Sequence, residues 1–113
     1  MTFENLSPVL SDALTARGYE ALTPVQSQVS EDQAKGRDLL VSAQTGSGKT
    51  VAFGLAMGDE LIEDGRLPFA TSPLALIIAP TRELALQVSR ELSWLGNSMN
   101  KLLPALMLCA FAL

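Results

Sequence analysis

The sequence contains no histidine and a single cysteine, Cys109, among its 113 residues. One cysteine cannot form an intrachain disulfide, and we interpret Cys109 as a small apolar residue in an apolar tail. Without histidine, neither a zinc cluster nor a catalytic triad that uses histidine can be assembled. These absences exclude a disulfide scaffold, a zinc-binding module and the common hydrolases that depend on a histidine base.

Positive charge is also scarce, since the chain has eight Lys and Arg and twelve Asp and Glu, which gives a net charge of -4. The chain as a whole therefore presents no broad cationic surface, and any contact with nucleic acid must be local. The N-terminus lacks the basic and apolar regions of a secretion signal, so a cytoplasmic location is the expectation. The apolar run at 102–113 is too short for a bilayer, which needs about 20 residues.

Turn and cap signals divide the rest of the chain into alternating helices and strands. With 48% hydrophobic residues, it is typical of one globular domain. Proline after a capping Ser or Thr predicts two early helices, and continuous apolar runs predict two strands, the second buried on both faces. The predicted elements are helices at 8–17, Pro24–Lys35, Lys49–Asp64 and 81–95, strands at Asp38–Ser42 and Leu74–Ala79, and a loop at Gly65–Pro73. This order indicates an α/β fold with a parallel sheet.

Two glycines, Gly54 and Gly58, lie four residues apart inside the third predicted helix. Glycine in a helix interior costs about 1 kcal/mol, so its presence needs a reason. We interpret both as positions that allow close packing on the sheet.

A phosphate-binding loop follows the first predicted strand and opens the third helix, in the order Ala43, Gln44, Thr45, Gly46, Ser47, Gly48, Lys49, Thr50. Its glycines allow successive N–H groups to point inward, and the helix N-terminus adds partial positive charge. Lys49 is placed to reach the β and γ phosphates, and the Thr50 hydroxyl is placed to ligate Mg²⁺. The strict pattern begins with glycine, and Ala43 is a small residue that the position tolerates.

Three segments match, in order, the first signature motifs of one known family: 18–26 (Gly-Tyr-Glu-Ala-Leu-Thr-Pro-Val-Gln), 43–50, and 80–85 (Pro-Thr-Arg-Glu-Leu-Ala). On these motifs, which lie within residues 2–95, the sequence resembles the DEAD-box RNA helicases. The resemblance implies a P-loop NTPase domain of the RecA-like type, a parallel sheet with flanking helices that is incomplete here. The family activity is ATP hydrolysis coupled to RNA duplex unwinding, with ATP and Mg²⁺ as cofactors.

The resemblance also implies a site for the base. Gln26 stands where the family reads adenine, which an amide can do because it both donates and accepts hydrogen bonds. Tyr19 stands where an aromatic packs on the base, Phe3 stands near the family's upstream aromatic, and Thr23 stands beside the phosphate loop. Leu22 departs from the family, which usually has proline there.

By the same resemblance, Pro80, Thr81 and Arg82 contact an RNA backbone. The helix N-terminus near Thr81 and the charge of Arg82 suit phosphate, and such contacts would not read base sequence. Glu83 is interpreted as a structural residue that ties neighbouring loops together rather than as a catalytic acid.

Other parts of a DEAD-box helicase do not occur in these 113 residues, namely the Asp-Glu-Ala-Asp and Ser-Ala-Thr motifs and a second RecA-like domain with arginine fingers. The nearest substitute, at 61–65, ends a predicted helix, so its carboxylates would point away from the nucleotide. We divide the chain into a helical region at 1–36, a partial ATP-binding domain at 37–95 and an apolar tail at 96–113 that does not match the family. The tail is interpreted as an altered reading frame or a premature end, with a buried strand or a membrane-associating segment as alternatives.

Three functions are therefore open from the sequence. The first is an ATP-binding fragment of a DEAD-box helicase that binds nucleotide without unwinding RNA. The second is another P-loop enzyme, such as a small-molecule kinase, although no phosphate-acceptor site is evident. The third is a fragment without enzymatic activity that associates with itself or a partner through an exposed sheet edge and the apolar tail.

Overall fold

Helices dominate the part of the protein that the computed structural model describes, which is residues 3–62, 74–99 and 107–111. The predicted loop at Gly65–Pro73 lies outside these residues. The elements are α1 (Pro8–Arg17), α2 (Pro24–Val29), a 3-10 turn (Asp32–Ala34), α3 (Lys49–Leu61), β1 (Ala75–Ala79), α4 (Arg82–Met99) and β2 (Met107–Phe111).

Helix α1 has the predicted bounds. Pro8 occupies the first turn, and Gly18 ends the helix in the left-handed region at φ 95°, where glycine carries no steric penalty. The N–H of Tyr19 donates to the carbonyl of Leu14 at 3.0 Å and completes this C-terminal cap. Ser7 does precede the helix, but its side chain makes no capping hydrogen bond, so the helix start depends on the proline rather than on the serine.

Helix α2 is shorter than predicted and ends at Val29 instead of Lys35. The hydroxyl of Ser30 donates to the carbonyl of Gln26 at 2.7 Å, and the backbone N–H of Ser30 donates to Ser27 instead. A serine that bonds to the backbone in this way competes with continuation of the helix. Glu31 is then extended, with ψ 148°, and the chain enters the 3-10 turn.

The strand predicted at Asp38–Ser42 is not formed, and these residues have no regular secondary structure. A strand requires hydrogen bonds to a neighbouring strand. The described strands, β1 and β2, pair in parallel with each other, with Ala75 opposite Met107 and Ala79 opposite Phe111. Leu40 is consequently fully exposed.

Strand β1 begins one residue later than predicted and is buried on one face instead of two. Ala79 is buried, whereas Leu76 and Ile78, which alternate with it, are 60% and 64% exposed. Helix α4 contacts both strands of the sheet, and it covers only the face that carries Ala79. The apolar tail contains a strand, β2, which is one of the alternatives that the sequence left open for it.

The main core lies between α1, α3 and α4. Its buried members are Phe3, Leu10, Ala13, Leu14, Val51, Leu55 and Leu95. A second, smaller cluster joins α2 to α3 through Val25, Val29 and Ala52. Helix α3 therefore packs on both of its sides, and it ends at Leu61 rather than at the predicted Asp64, which lies outside the described residues. In the described ranges, no helix is both long enough and apolar enough to cross a bilayer.

Gly54 lies where α3 crosses α4. A Cβ atom added to Gly54 would lie 2.5 Å from Leu92 Cδ2 and 3.3 Å from Leu95 Cδ2. Both leucines are almost fully buried, so neither can move aside into solvent. Gly54 does allow close packing, as predicted from the sequence. The prediction that it packs on the sheet is wrong, because the element on that face of α3 is helix α4. Gly58, one turn later, is also buried.

We expect Gly54→Val to lower the free energy of unfolding by about 1–3 kcal/mol, because the added side chain overpacks a filled core. Valine and glycine both have low helix propensity, so the backbone contributes little to the change. Denaturant unfolding followed by circular dichroism measures the effect. Removing the Leu92 side chain opens the space, so the double variant Gly54→Val/Leu92→Ala should be less destabilised than the sum of the single variants. Additive losses would contradict the contact.

Candidate nucleotide-binding site

The phosphate loop forms a tight turn immediately before α3. Gly46 and Gly48 both lie in the left-handed region, with φ 83° and 82°, which residues with a side chain rarely adopt. The N–H of Ser47 donates to the carbonyl of Gln44 at 3.2 Å and closes the turn. Helix α3 then begins at Lys49. The loop and helix have the predicted arrangement even though the residues before them do not form a strand.

The N-terminus of α3 is suited to an anion. Gly48 precedes the helix and provides no side-chain cap, so the first N–H groups of the helix remain available to a ligand. The Lys49 ammonium donates to the Ala43 carbonyl at 3.0 Å across the loop and retains two further donors. Ser47 Oγ is buried without a hydrogen-bond partner in the described part of the chain. The half-buried Thr50 lies in the first turn, where its hydroxyl can serve as a hard oxygen ligand for Mg²⁺.

Gln26 connects α2 to the phosphate loop. Its side chain is 1% exposed, and its Oε1 accepts from the Thr23 N–H at 3.0 Å while Thr23 Oγ1 accepts from the Gln26 N–H at 3.4 Å. Gln26 Nε2 donates to the Gly48 carbonyl at 3.2 Å. These bonds use one of the two N–H groups and one of the two oxygen lone pairs of the amide.

Tyr19 packs against the C-terminal half of α4. Its ring stacks on Trp94, with centroids 6.0 Å apart and planes inclined by 28°. The Arg17 guanidinium lies 5.2 Å from the centroid of the Trp94 ring, a cation–π distance. Burial raises the pKa of the Tyr19 phenol above its ordinary value, Glu91 raises it further, and Arg17 lowers it. Phe3 is buried in the main core, and its N–H donates to Ser11 Oγ at 3.0 Å.

The residues predicted to contact RNA lie at the opposite end of α4. Pro80, Thr81 and Arg82 are exposed where β1 ends and α4 begins, and the carboxyl ends of parallel strands are the usual ligand edge of such sheets. Thr81 Oγ1 accepts from the Leu84 N–H at 3.2 Å and caps the helix. The Glu83 carboxylate is exposed and forms no salt bridge to another described residue, so the predicted tie between loops is not seen.

Comparison with known proteins assigns the chain to a family. The model of the family described as "DEAD/DEAH box helicase" matches residues 23–108, which are most of the chain. The chain belongs to the DEAD/DEAH box helicase family. The match begins at Thr23, includes the phosphate loop and continues to residue 108. It therefore extends into the segment 96–113, which the sequence-based division places outside the family.

Individual relatives of this chain agree with the family match. It is 44% identical over 87 residues to DEAD-box ATP-dependent RNA helicase 9, mitochondrial, of Arabidopsis thaliana, which covers 76% of this chain and 14% of that protein. The structure of the RNA helicase Prp28 from Chaetomium thermophilum bound to ADP superposes with a TM-score of 0.72 at 34% identity, covering 88% of this chain and 24% of that one. The helicase Mss116 bound to single-stranded RNA and UDP-BeF superposes with a TM-score of 0.68 at 29% identity, covering 87% and 20%.

These neighbours confirm the predicted fold class, an α/β domain of the RecA-like type. The chain spans less than a quarter of the length of each of these three proteins. ATP and RNA binding are properties of the family to which it belongs.

The structure brings together some of the predicted site residues and not others. Thr23, Gln26 and the phosphate loop form one hydrogen-bonded unit. The Tyr19 ring stacks instead on Trp94, a contact that the sequence motifs do not indicate. Trp94 is the only tryptophan and Tyr19 the only tyrosine of the chain, but neither spacing nor periodicity relates residues so far apart.

We expect Gly48→Ala to destabilise the chain more than Gly46→Ala does, by about 1–3 kcal/mol. Both variants place alanine in left-handed backbone, which costs about 1–2 kcal/mol. A Cβ at Gly46 meets nothing within 4 Å, whereas a Cβ at Gly48 would collide with Gln26 Nε2 and lie 3.3 Å from Thr23 Oγ1. Denaturant unfolding of the two variants measures the difference.

The cause of that difference is tested by adding Gln26→Ala to each glycine variant. Removal of the amide relieves the collision, so the two double variants should be equally stable relative to Gln26→Ala alone. Equal losses from Gly46→Ala and Gly48→Ala in the presence of Gln26 would contradict the close contact between the loop and α2.

Proposed function

We propose that this chain binds ATP with Mg²⁺ through residues 43–50, as the nucleotide-holding part of an ATP-dependent RNA helicase. The observation that carries the proposal is the uncapped N-terminus of α3, preceded by two glycines in the left-handed region and followed directly by Lys49. This arrangement directs backbone N–H groups and a lysine at one small volume, which is the chemistry that polyphosphate requires.

Each side of the nucleotide has a proposed set of residues. On the phosphate side, the loop N–H groups and the Lys49 ammonium hold oxygens, and Thr50 is the proposed protein ligand of Mg²⁺, with the ion's remaining positions left to phosphate and water. Bound Mg²⁺ neutralises phosphate charge. On the base side, we propose that the second N–H and second lone pair of the Gln26 amide bind the adenine edge, which requires the 1% exposed amide to become accessible when nucleotide binds. Tyr19 is proposed to offer an aromatic surface.

The RNA contact is proposed for Pro80, Thr81 and Arg82. It is supported by their exposure at the N-terminus of α4 and by the single-stranded RNA bound to the relative Mss116. One arginine and one helix end neutralise few phosphates, so binding of RNA by this chain alone is expected to be weak and sensitive to salt. Self-association through the sheet edge and the apolar tail remains a prediction.

For the whole protein we propose ATP hydrolysis coupled to unwinding of RNA duplexes. The 113 residues contain no Asp-Glu-Ala-Asp sequence, and transfer of a phosphoryl group requires groups that position the attacking water and stabilise charge in the transition state. This chain alone is therefore proposed to bind nucleotide without turning it over.

We expect Lys49→Ala to weaken ATP binding about tenfold to a hundredfold, the usual effect of losing a charged hydrogen bond to the ligand. Isothermal titration calorimetry with Mg²⁺ present measures the affinity. Lys35→Ala is the matched control, since it removes an equal charge from a residue that pairs with Asp32 and Asp59 away from the loop. Unchanged affinity in Lys49→Ala, or equal losses in both variants, would reject the loop as the phosphate site.

The same titrations with GTP test the base side. Because the phosphate loop contacts only the part that ATP and GTP share, a preference for ATP has to come from residues such as Gln26. Equal affinities of the unaltered chain for ATP and GTP would remove the assignment of Gln26 to adenine and leave the phosphate assignment intact.

We expect the 113-residue chain neither to separate an RNA duplex nor to hydrolyse ATP faster with RNA than its Lys49→Ala variant does. A fluorescent duplex-unwinding assay and a phosphate-release assay measure the two activities. ATP-dependent strand separation by the chain alone would show that these residues are sufficient for the activity and would overturn this part of the proposal.

A further inference from the structure

We propose that Trp94 is a positioning residue for Tyr19, holding the tyrosine ring in place so that its open side can receive the adenine base. The inference rests on the proposed function, since it concerns how the base side of that site is built. It adds a residue from the far end of α4, outside all three sequence motifs, to the nucleotide-binding machinery.

The backbone of Tyr19 is fixed by the end of α1. Gly18 takes the left-handed conformation, and the Tyr19 N–H donates to the Leu14 carbonyl at 3.0 Å. Leu14 is completely buried in the main core. The Cα atom of Tyr19 is therefore anchored, and the side-chain torsions are the freedom that remains to the ring.

Stacking on Trp94 restricts the side-chain torsions of Tyr19. The two rings stack with centroids 6.0 Å apart, a separation within the range of favourable aromatic pairs. Trp94 is itself held, because its neighbours Leu92 and Leu95 are 2% and 1% exposed and Arg17 lies over its ring. A ring that is immobilised before the ligand arrives loses less entropy on binding, which raises affinity without adding a contact.

Tyr19 remains only half-buried despite this packing. Trp94 occupies one side of the ring, and the exposed remainder is available to a second flat ring. The ring is also tied to the phosphate loop through the chain, because Thr23, four residues later, is hydrogen-bonded to Gln26 and through it to Gly48.

The test compares two ligands that share phosphates, ATP and inorganic tripolyphosphate, by calorimetry on the full chain with Mg²⁺. We expect Trp94→Leu to weaken ATP binding about threefold to tenfold, the range associated with one aromatic pair, and to leave tripolyphosphate binding unchanged. Leucine keeps an apolar side chain against the core but has no ring to stack. Trp94→Phe restores a ring and should bind ATP nearly as well as the unaltered chain.

Tyr19→Leu completes the design. If Trp94 acts through Tyr19, the double variant Tyr19→Leu/Trp94→Leu should bind ATP no more weakly than Tyr19→Leu alone. An ATP affinity of Trp94→Leu equal to that of the unaltered chain overturns the inference, and so does a loss that is equal for ATP and tripolyphosphate, because that pattern belongs to a structural role.

A measurement on the unaltered chain covers the case in which the variants do not fold. Trp94 is the only tryptophan, so its fluorescence, excited at wavelengths that adenine does not absorb, reports on the stack directly. Because the stack is formed before the ligand arrives, saturating ATP should leave this emission close to that of the free chain. A large shift of the emission with bound ATP would show that the stack rearranges and would overturn the positioning role of Trp94, whereas failure of the chain to bind ATP at all overturns the proposed function itself.

Discussion

The hydrogen bond from the buried Gln26 amide to the Gly48 carbonyl is the contact on which the site depends. The same carbonyl accepts the Ala52 N–H at 3.0 Å as the first bond of α3, so both of its lone pairs are used. Because the amide is almost completely removed from water, breaking either of its bonds would leave a buried polar group unpaired, which costs about 1–3 kcal/mol. One side chain thereby fixes the cap of α2, the left-handed turn at Gly48 and the start of α3 together.

Helix α3 fixes the direction of the phosphate site, because it is packed on two sides. Its Ala52 side packs on α2, and its Val51 and Leu55 side packs on α1 and α4. The missing side chain at Gly54 lets α4 approach closely. A helix held on both sides cannot tilt without opening a core, so the partial positive charge at its N-terminus keeps one direction. The phosphate loop needs this rigidity because short-range hydrogen bonds lose strength steeply when their geometry is wrong.

Local signals predicted where the helices and the phosphate loop begin, but they placed the end of α2 too late, and they failed where structure depends on distant partners. Proline and left-handed glycine at the ends of α1, and the glycines before α3, act within a few residues and were interpreted correctly. The strand expected at Asp38–Ser42 and the second buried face expected for β1 both require neighbouring elements, and in the described part of the chain no strand pairs with 38–42 and nothing covers Leu76 and Ile78. The pairing of Tyr19 with Trp94 could not be predicted for the same physical reason, since a contact between a residue just after α1 and a residue in α4 leaves no trace in local spacing.

The charge of the chain affects the two proposed anionic ligands, nucleotide and RNA, differently. A net charge of -4 repels any polyanion at a distance, but beyond about 10 Å this repulsion is screened at ordinary salt concentrations. In the proposed site, nucleotide phosphate would enter a loop where several N–H groups and Lys49 act at contact distance, so the local attraction would outweigh the overall repulsion. In the proposed RNA contact, Arg82 is the one cationic side chain of the three residues, and it lies on an exposed helix end. We therefore expect the chain to bind a short polyphosphate more tightly than a long one, and tighter binding of RNA would have to use surfaces other than the end of α4.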